Sequence, residues 1–172
     1  LLIVFFPTLC LAQYGASIDG ELKYPSDFVQ FQYTSTKAQK GGQLIVHDIG
    51  SFDKVNPFTL KGSAPYLLED LIYESLGVGS LDEPFSIYGL IAKDIAVADD
   101  YKSVVFTLDE NAKFSDGSPI EVQDIAYTID TLTGSLLHPF YNSYDQNIDG
   151  YEKRGKHRIQ VNFKKANRER HM

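Results

Sequence analysis

The sequence predicts an α/β fold, on three observations. Short β-rich runs at residues 44–47, 104–108 and 158–164 stand far apart along the chain. Two segments carry apolar residues at helical spacing: residues 65–76, with Leu67, Leu68, Leu71, Ile72 and Leu76 on one stripe, and the segment holding Val122, Ile125, Ala126 and Ile129. These strand and helix signals alternate irregularly, with no internal repeat and no low-complexity stretch.

Taken in order, the chain opens on LLIVFFPTLCLA, an apolar run too short to cross a bilayer, followed at once by the polar QYGASIDGELKYP. Residues 1–12 read as the remnant of a secretory signal peptide ending at Ala12; a buried N-terminal strand or helix is the alternative. Lipid attachment through Cys10 is the weaker option, because bulky Leu9 stands where a small residue is needed. Residues 13–40 mix Gly, Pro, Ser and Tyr without periodicity and read as an irregular arm. Gly41-Gly42 leads into a short buried-type strand, Leu44-Ile45-Val46-His47; Gly50-Ser51-Phe52-Asp53 follows as a loop, and Asn56-Pro57 marks a turn. The helix over residues 65–76 has Pro65 in its first turn and Gly77 as its C-terminal cap.

Residues 80–108 alternate apolar runs with acidic or glycine breaks, which predicts two or three antiparallel strands. After the strand at 104–108 comes an Asp116-Gly117 turn, and Ser118-Pro119-Ile120-Glu121 has the form of a capping box opening the second helix. Gly134 and His138-Pro139 close that helix, and alternating Ile159, Val161 and Phe163 make a last strand.

Charge narrows the function. Residues 1–150 hold 8 Lys/Arg and 21 Asp/Glu, net −13, while residues 151–172 hold 8 and 2, net +6; together they give the net −7 of the chain. An acidic body lacks the basic face that displaces counterions from nucleic acid, so no nucleic-acid partner is expected, and the basic tail reads as a solvated strand and turn. The single cysteine lies in the leader, so the mature chain carries no disulfide, thiolate metal site or cysteine nucleophile.

Catalytic patterns are weak. Lys40-Gly41-Gly42 precedes a strand, whereas a phosphate loop follows one and opens a helix. His47, His138, His157 and His171 lack metal-ligand spacing, so no metal and no cofactor are expected, and no serine-nucleophile motif occurs. Asp82-Glu83 and Asp99-Asp100 are the tempting carboxylate pairs, but sequence neighbours on a strand point to opposite faces, and turn acids are the simpler reading. An exported, acidic chain without a catalytic constellation favours a binding module over an enzyme.

The sequence also resembles a known family. Val104-Val105-Phe106-Thr107-Leu108, Lys113-Phe114-Ser115-Asp116-Gly117-Ser118-Pro119 and Asp124-Ile125 follow the signature of the bacterial extracellular solute-binding proteins of family 5, the oligopeptide/dipeptide/nickel-type receptors. The phrases YGASIDGELKYPSDF, QKGGQL, GSFDKVNPF, LIYESL, SLDEPFSIYGLIA, HPFYNSY and NRE are similar to its Yej-type peptide-binding branch, in the same order. Val104 replaces the usual Trp, Ser115 the usual His, Glu121 the Thr that caps the family helix, and Arg170-His171-Met172 departs from the apolar run after NRE.

The resemblance implies a periplasmic binding protein-like two-lobe fold with an extra N-terminal domain, of which only the N-terminal portion is present. Residues 13–60 would begin the first lobe and residues 61–172 would form most of the inserted domain, truncated at its C-terminal end. It implies a monomeric, periplasmic component of an ATP-driven importer that binds oligopeptides and delivers them to an inner-membrane permease. Ligand contacts are then expected at Gly50, Ser51 and Phe52, after the first strand. Two rival readings remain: a secreted hydrolase using Asp82, Glu83 or Asp116, and a fragment without function of its own.

Overall fold

The structure is a computed structural model that describes residues 13–39, 41–47, 49–133 and 146–168. Residues 1–12, expected to be a signal remnant, Lys40, Gly134, His138-Pro139 and Arg170-His171-Met172 lie outside the described residues. Among the described residues, two antiparallel sheets and one long helix build the fold.

The larger sheet has four strands: β4 (Ala92–Val97), β5 (Ser103–Leu108), β6 (Ile148–Lys153) and β7 (Arg158–Phe163), in the order β4-β5-β7-β6. Alternation along β5 sends Val104, Phe106 and Leu108 to the buried face, and β7 adds Ile159 and Val161 directly opposite. On this face lies α2 (Val122–Leu132), which buries Val122 and Ala126 and packs Ile125 and Ile129 against the same cluster. That is the stripe the sequence predicts. Each large side chain removed from water there contributes about 1.5–3 kcal/mol of hydrophobic free energy.

The smaller sheet has the order β1-β3-β2: β1 (Gly15–Ser17), β2 (Gly77–Gly79) and β3 (Ser86–Gly89). Leu90 and Ile91 carry β3 straight on into β4, and residues 13–17 stitch the two sheets together. The Gly89 N–H donates to the Tyr14 carbonyl at 2.9 Å, and Gln13 bridges to Ile95. The two or three strands predicted between residues 80 and 108 are three, β3, β4 and β5; β1, β2 and β6 had no sequence signal strong enough to name them.

Several expectations are corrected. Residues 44–47 form no strand, and Leu44, Ile45 and Val46 are 84%, 81% and 54% exposed. The helix expected over residues 65–76 shrinks to α1 (Leu68–Ile72), with no buried residue and with Leu67 at its start in a left-handed conformation (φ 63°). A helix needs about 12–15 residues to stand alone, and otherwise draws its stability from a packed apolar face; in α1 Leu68 is only half-buried, and Leu71 and Ile72 face water. Gly77 is not a helix cap but a strand residue, where an added Cβ would come within 2.8 Å of the Ile87 side chain. The cap of α2 is Glu121 rather than Ser118: the Glu121 N–H donates to the Asp124 carboxylate at 2.8 Å.

Candidate functional site

Gly50, Ser51 and Phe52 stand on an exposed loop, with Gly50 at φ 139°. Directly after them the chain closes on itself. The Asp53 N–H donates to the Ser63 carbonyl at 3.1 Å, the Ser63 N–H donates to Asp53 Oδ1 at 2.7 Å, and Lys54 Nζ donates to the Thr59 carbonyl at 2.5 Å. Phe58 meets Tyr73 edge-to-face at 4.9 Å, fixing this closed loop beside α1. Phe52 is exposed beside this hydrogen-bonded loop. Such a loop can offer backbone groups and one aromatic face to a ligand.

The acids of the sequence fall into structural roles. Asp116 Oδ1 accepts from the Ser118 N–H at 2.9 Å and its hydroxyl at 2.6 Å, and these bonds hold the Asp116 carboxyl below its ordinary range. Gly117 turns the chain there at φ 87°. Asp100 accepts from the Lys102 N–H in the β4–β5 turn. His47 is exposed, His157 is half-buried, and His138 and His171 lie outside the described residues. Among the described residues no group of three or more His, Cys, Asp or Glu side chains could hold a metal ion.

Asp82 and Glu83 behave differently from the strand-neighbour picture, because they lie in the β2–β3 loop and turn toward the same partners in the arm. Asp82 accepts from Lys23 Nζ at 2.7 Å, the Tyr24 hydroxyl at 2.7 Å and the Ser80 hydroxyl at 2.5 Å. Glu83 accepts from the Lys23 N–H at 2.9 Å and from the Tyr88 hydroxyl. The bonds from Lys23, Ser80 and Tyr24 press the Asp82 carboxyl far below the usual carboxylate range. Around them Tyr24, Phe28 and Phe31 each meet the Tyr88 ring at 5.1–5.6 Å between centroids. A carboxylate so fully engaged by donors is poorly placed to act as a general base. The sequence named this acid pair and the arm, but nothing in it signalled that they bind each other.

The family model for bacterial extracellular solute-binding proteins, family 5, middle part, matches residues 86–171, half of the 172 residues. The chain belongs to the family 5 solute-binding proteins. Among curated relatives, this family 5 chain is 38% identical over 165 residues to a protein of Brucella melitensis named as a binding protein, covering 91% of this chain and 27% of that protein. It is 36% identical over 164 residues to the peptidoglycan-binding protein YepA of Agrobacterium fabrum, covering 91% and 26%. It is 35% identical over 156 residues to YejA of the same organism, named for peptide binding, covering 90% and 25%. The chain thus spans about a quarter of the length of the relatives it matches.

Among solved structures, NikA from Brucella suis in complex with Fe(III)-EDTA superposes with a TM-score of 0.55 at 22% identity, over 64% of this chain and 22% of that one. The oligopeptide-binding protein AppA from Bacillus subtilis in complex with a nonapeptide gives 0.53 at 17%, over 67% and 22%. The fold is accordingly a portion of the periplasmic binding protein fold expected from the sequence. No helix among the described residues is long and apolar enough to cross a membrane.

Proposed function

We propose that this chain is the N-terminal part of the peptide-binding component of an ATP-driven importer, acting in the periplasm as a monomer and handing oligopeptides to an inner-membrane permease. The observation that carries the reading is family 5 membership together with 35% identity to a relative named for peptide binding. Residues 13–60 would belong to the first lobe and residues 61–172 to the inserted domain, with Gly50, Ser51 and Phe52 at the ligand cleft. The exposed loop rim at Phe52 suits this role, because main-chain bonds to an extended peptide give affinity without fixing the side chains. Engagement of Asp82, Glu83 and Asp116 in structural bonds speaks against the hydrolase reading.

The test is calorimetry on the full-length protein with a mixture of di- to pentapeptides. Binding that weakens about tenfold in Phe52→Ala supports both the ligand class and the loop; the absence of heat with every peptide overturns the reading. A second reading, a cell-wall peptide as the natural ligand, is favoured by the identity to the peptidoglycan-binding relative. Stem peptides released from peptidoglycan belong in the same titration, and tighter binding of these than of ordinary peptides would select it.

A further inference from the structure

The contacts between the arm and the smaller sheet converge on one place. Tyr24 is 4% exposed and commits its backbone and its phenol there. Its N–H donates to the Tyr88 hydroxyl at 3.3 Å, its carbonyl accepts from the Tyr14 hydroxyl at 2.7 Å, and its hydroxyl donates to Asp82 while accepting from the Gln32 N–H at 2.9 Å. Farther along, the Tyr33 hydroxyl accepts from the Leu81 N–H at 3.3 Å, and the Tyr33 ring stacks on Phe31. Backbone bonds within the arm are short turns, Phe28 to Pro25 and Thr34 to Phe31. Among the described residues no strand or helix forms between β1 and α1.

We propose that residues 18–33 are a strap that opens and closes as one unit on the smaller sheet, latched by the Asp82–Glu83 carboxylate pair. The latch accepts from two successive arm residues, Lys23 and Tyr24, and from Tyr88 and Ser80 of the sheet side. Its charged part is only half-sheltered: the Lys23 and Asp82 side chains keep 38% and 26% of their exposure. Beyond Ile18, whose N–H donates to the Phe85 carbonyl, the segment has no strand pairing. It is held by the latch and by Tyr24, Phe28 and Phe31 packed on Tyr88, and a segment held by side chains rather than by ladder bonds opens before the core does. The inference stands on the latch geometry and does not depend on which ligand the protein binds.

Lys23 is a built-in reporter: it is exposed, but its N–H and the next residue, Tyr24, are bound to Glu83, Tyr88 and Asp82. Trypsin can therefore take this stretch in the extended form it needs only when the strap lifts, whereas exposed Lys37, outside the strap, is open to the enzyme throughout. In the full chain, the double variant Asp82→Asn/Glu83→Gln should be cut at Lys23 about tenfold faster than the unaltered chain, with Lys37 cleavage and thermal melting of the larger sheet unchanged. An unchanged Lys23 rate overturns the proposal, as does a rise at Lys23 that merely tracks loss of the whole fold. Hydrogen exchange on the unaltered chain gives a second reading that no mutation can confound. The amides of Lys23, Tyr24 and Gln32, which donate to Glu83, Tyr88 and Tyr24, should exchange together and faster than those shared by β5 and β7. Exchange of these three only with global unfolding overturns the strap.

Discussion

The hydroxyl of Tyr24 donates to the carboxylate of Asp82 at 2.7 Å across 58 positions of sequence, and this bond joins the irregular arm to the β2–β3 loop. With Lys23 on the same oxygen, it turns an acid that could be mistaken for a catalyst into an anchor.

Asp82 should therefore make the protein acid-sensitive. Its carboxyl is depressed in the fold, chiefly by the Lys23 bond and then by Ser80 and Tyr24, so it binds protons more weakly than in the unfolded chain. The stability it supplies is full above the unfolded carboxylate value of about 4 and is lost as pH falls toward the folded value. Urea titrations read by the absorbance of the Tyr24–Tyr88 cluster between neutral and acid pH should show this slope, and Asp82→Asn should flatten it while loosening the strap, not the larger sheet, at neutral pH.

Tyr88 should resist ionisation. Burial pushes its phenol up, and its hydrogen bond to Glu83 adds to that. A raised value in the fold means stability is present below the unfolded tyrosine value of about 10 and is lost as pH climbs above it. Ultraviolet titration of phenolate should show Tyr88 ionising only as the fold opens, above the ordinary tyrosine range. Ionisation of Tyr88 at the ordinary tyrosine value with the fold intact would contradict its burial.

Two apolar residues with similar sequence credentials should differ widely. Ile159 is fully buried between β5 and α2, so Ile159→Ala should cost about 2–5 kcal/mol in a denaturant melt. Leu71 lies on the stripe that the sequence assigns to a helix core but is 70% exposed, so Leu71→Ala should change stability by about 0.5 kcal/mol or less.

Gly117 sits at φ 87° with open space where a Cβ would go, so the strain of Gly117→Ala is conformational rather than steric. The cost should be about 1–2 kcal/mol, read as a lowered melting temperature. Because Asp116 serves the same turn, Asp116→Asn should leave ligand affinity unchanged, and a large affinity loss would return this acid to the functional site.

What the sequence determined by itself is local and periodic. The alternation in β5 and β7, the helical stripe of Val122, Ile125, Ala126 and Ile129, and the Asp116-Gly117 turn all appear where their residues place them. Each is fixed by bonds and packing within a few positions, or by one buried face. Tertiary structure decided the rest. Three-residue β1 and β2 are strands only because β3 lies beside them, and Gly77 is required by the close approach of Ile87. Leu44-Ile45-Val46 and α1 carry strong local patterns, yet the described residues give them no surface to cover, and apolar spacing stabilises an element only when something buries it. The latch between Tyr24 and Asp82 was out of reach for the same reason: no periodicity links residues 58 positions apart, and only the folded path of the chain brings them to 2.7 Å.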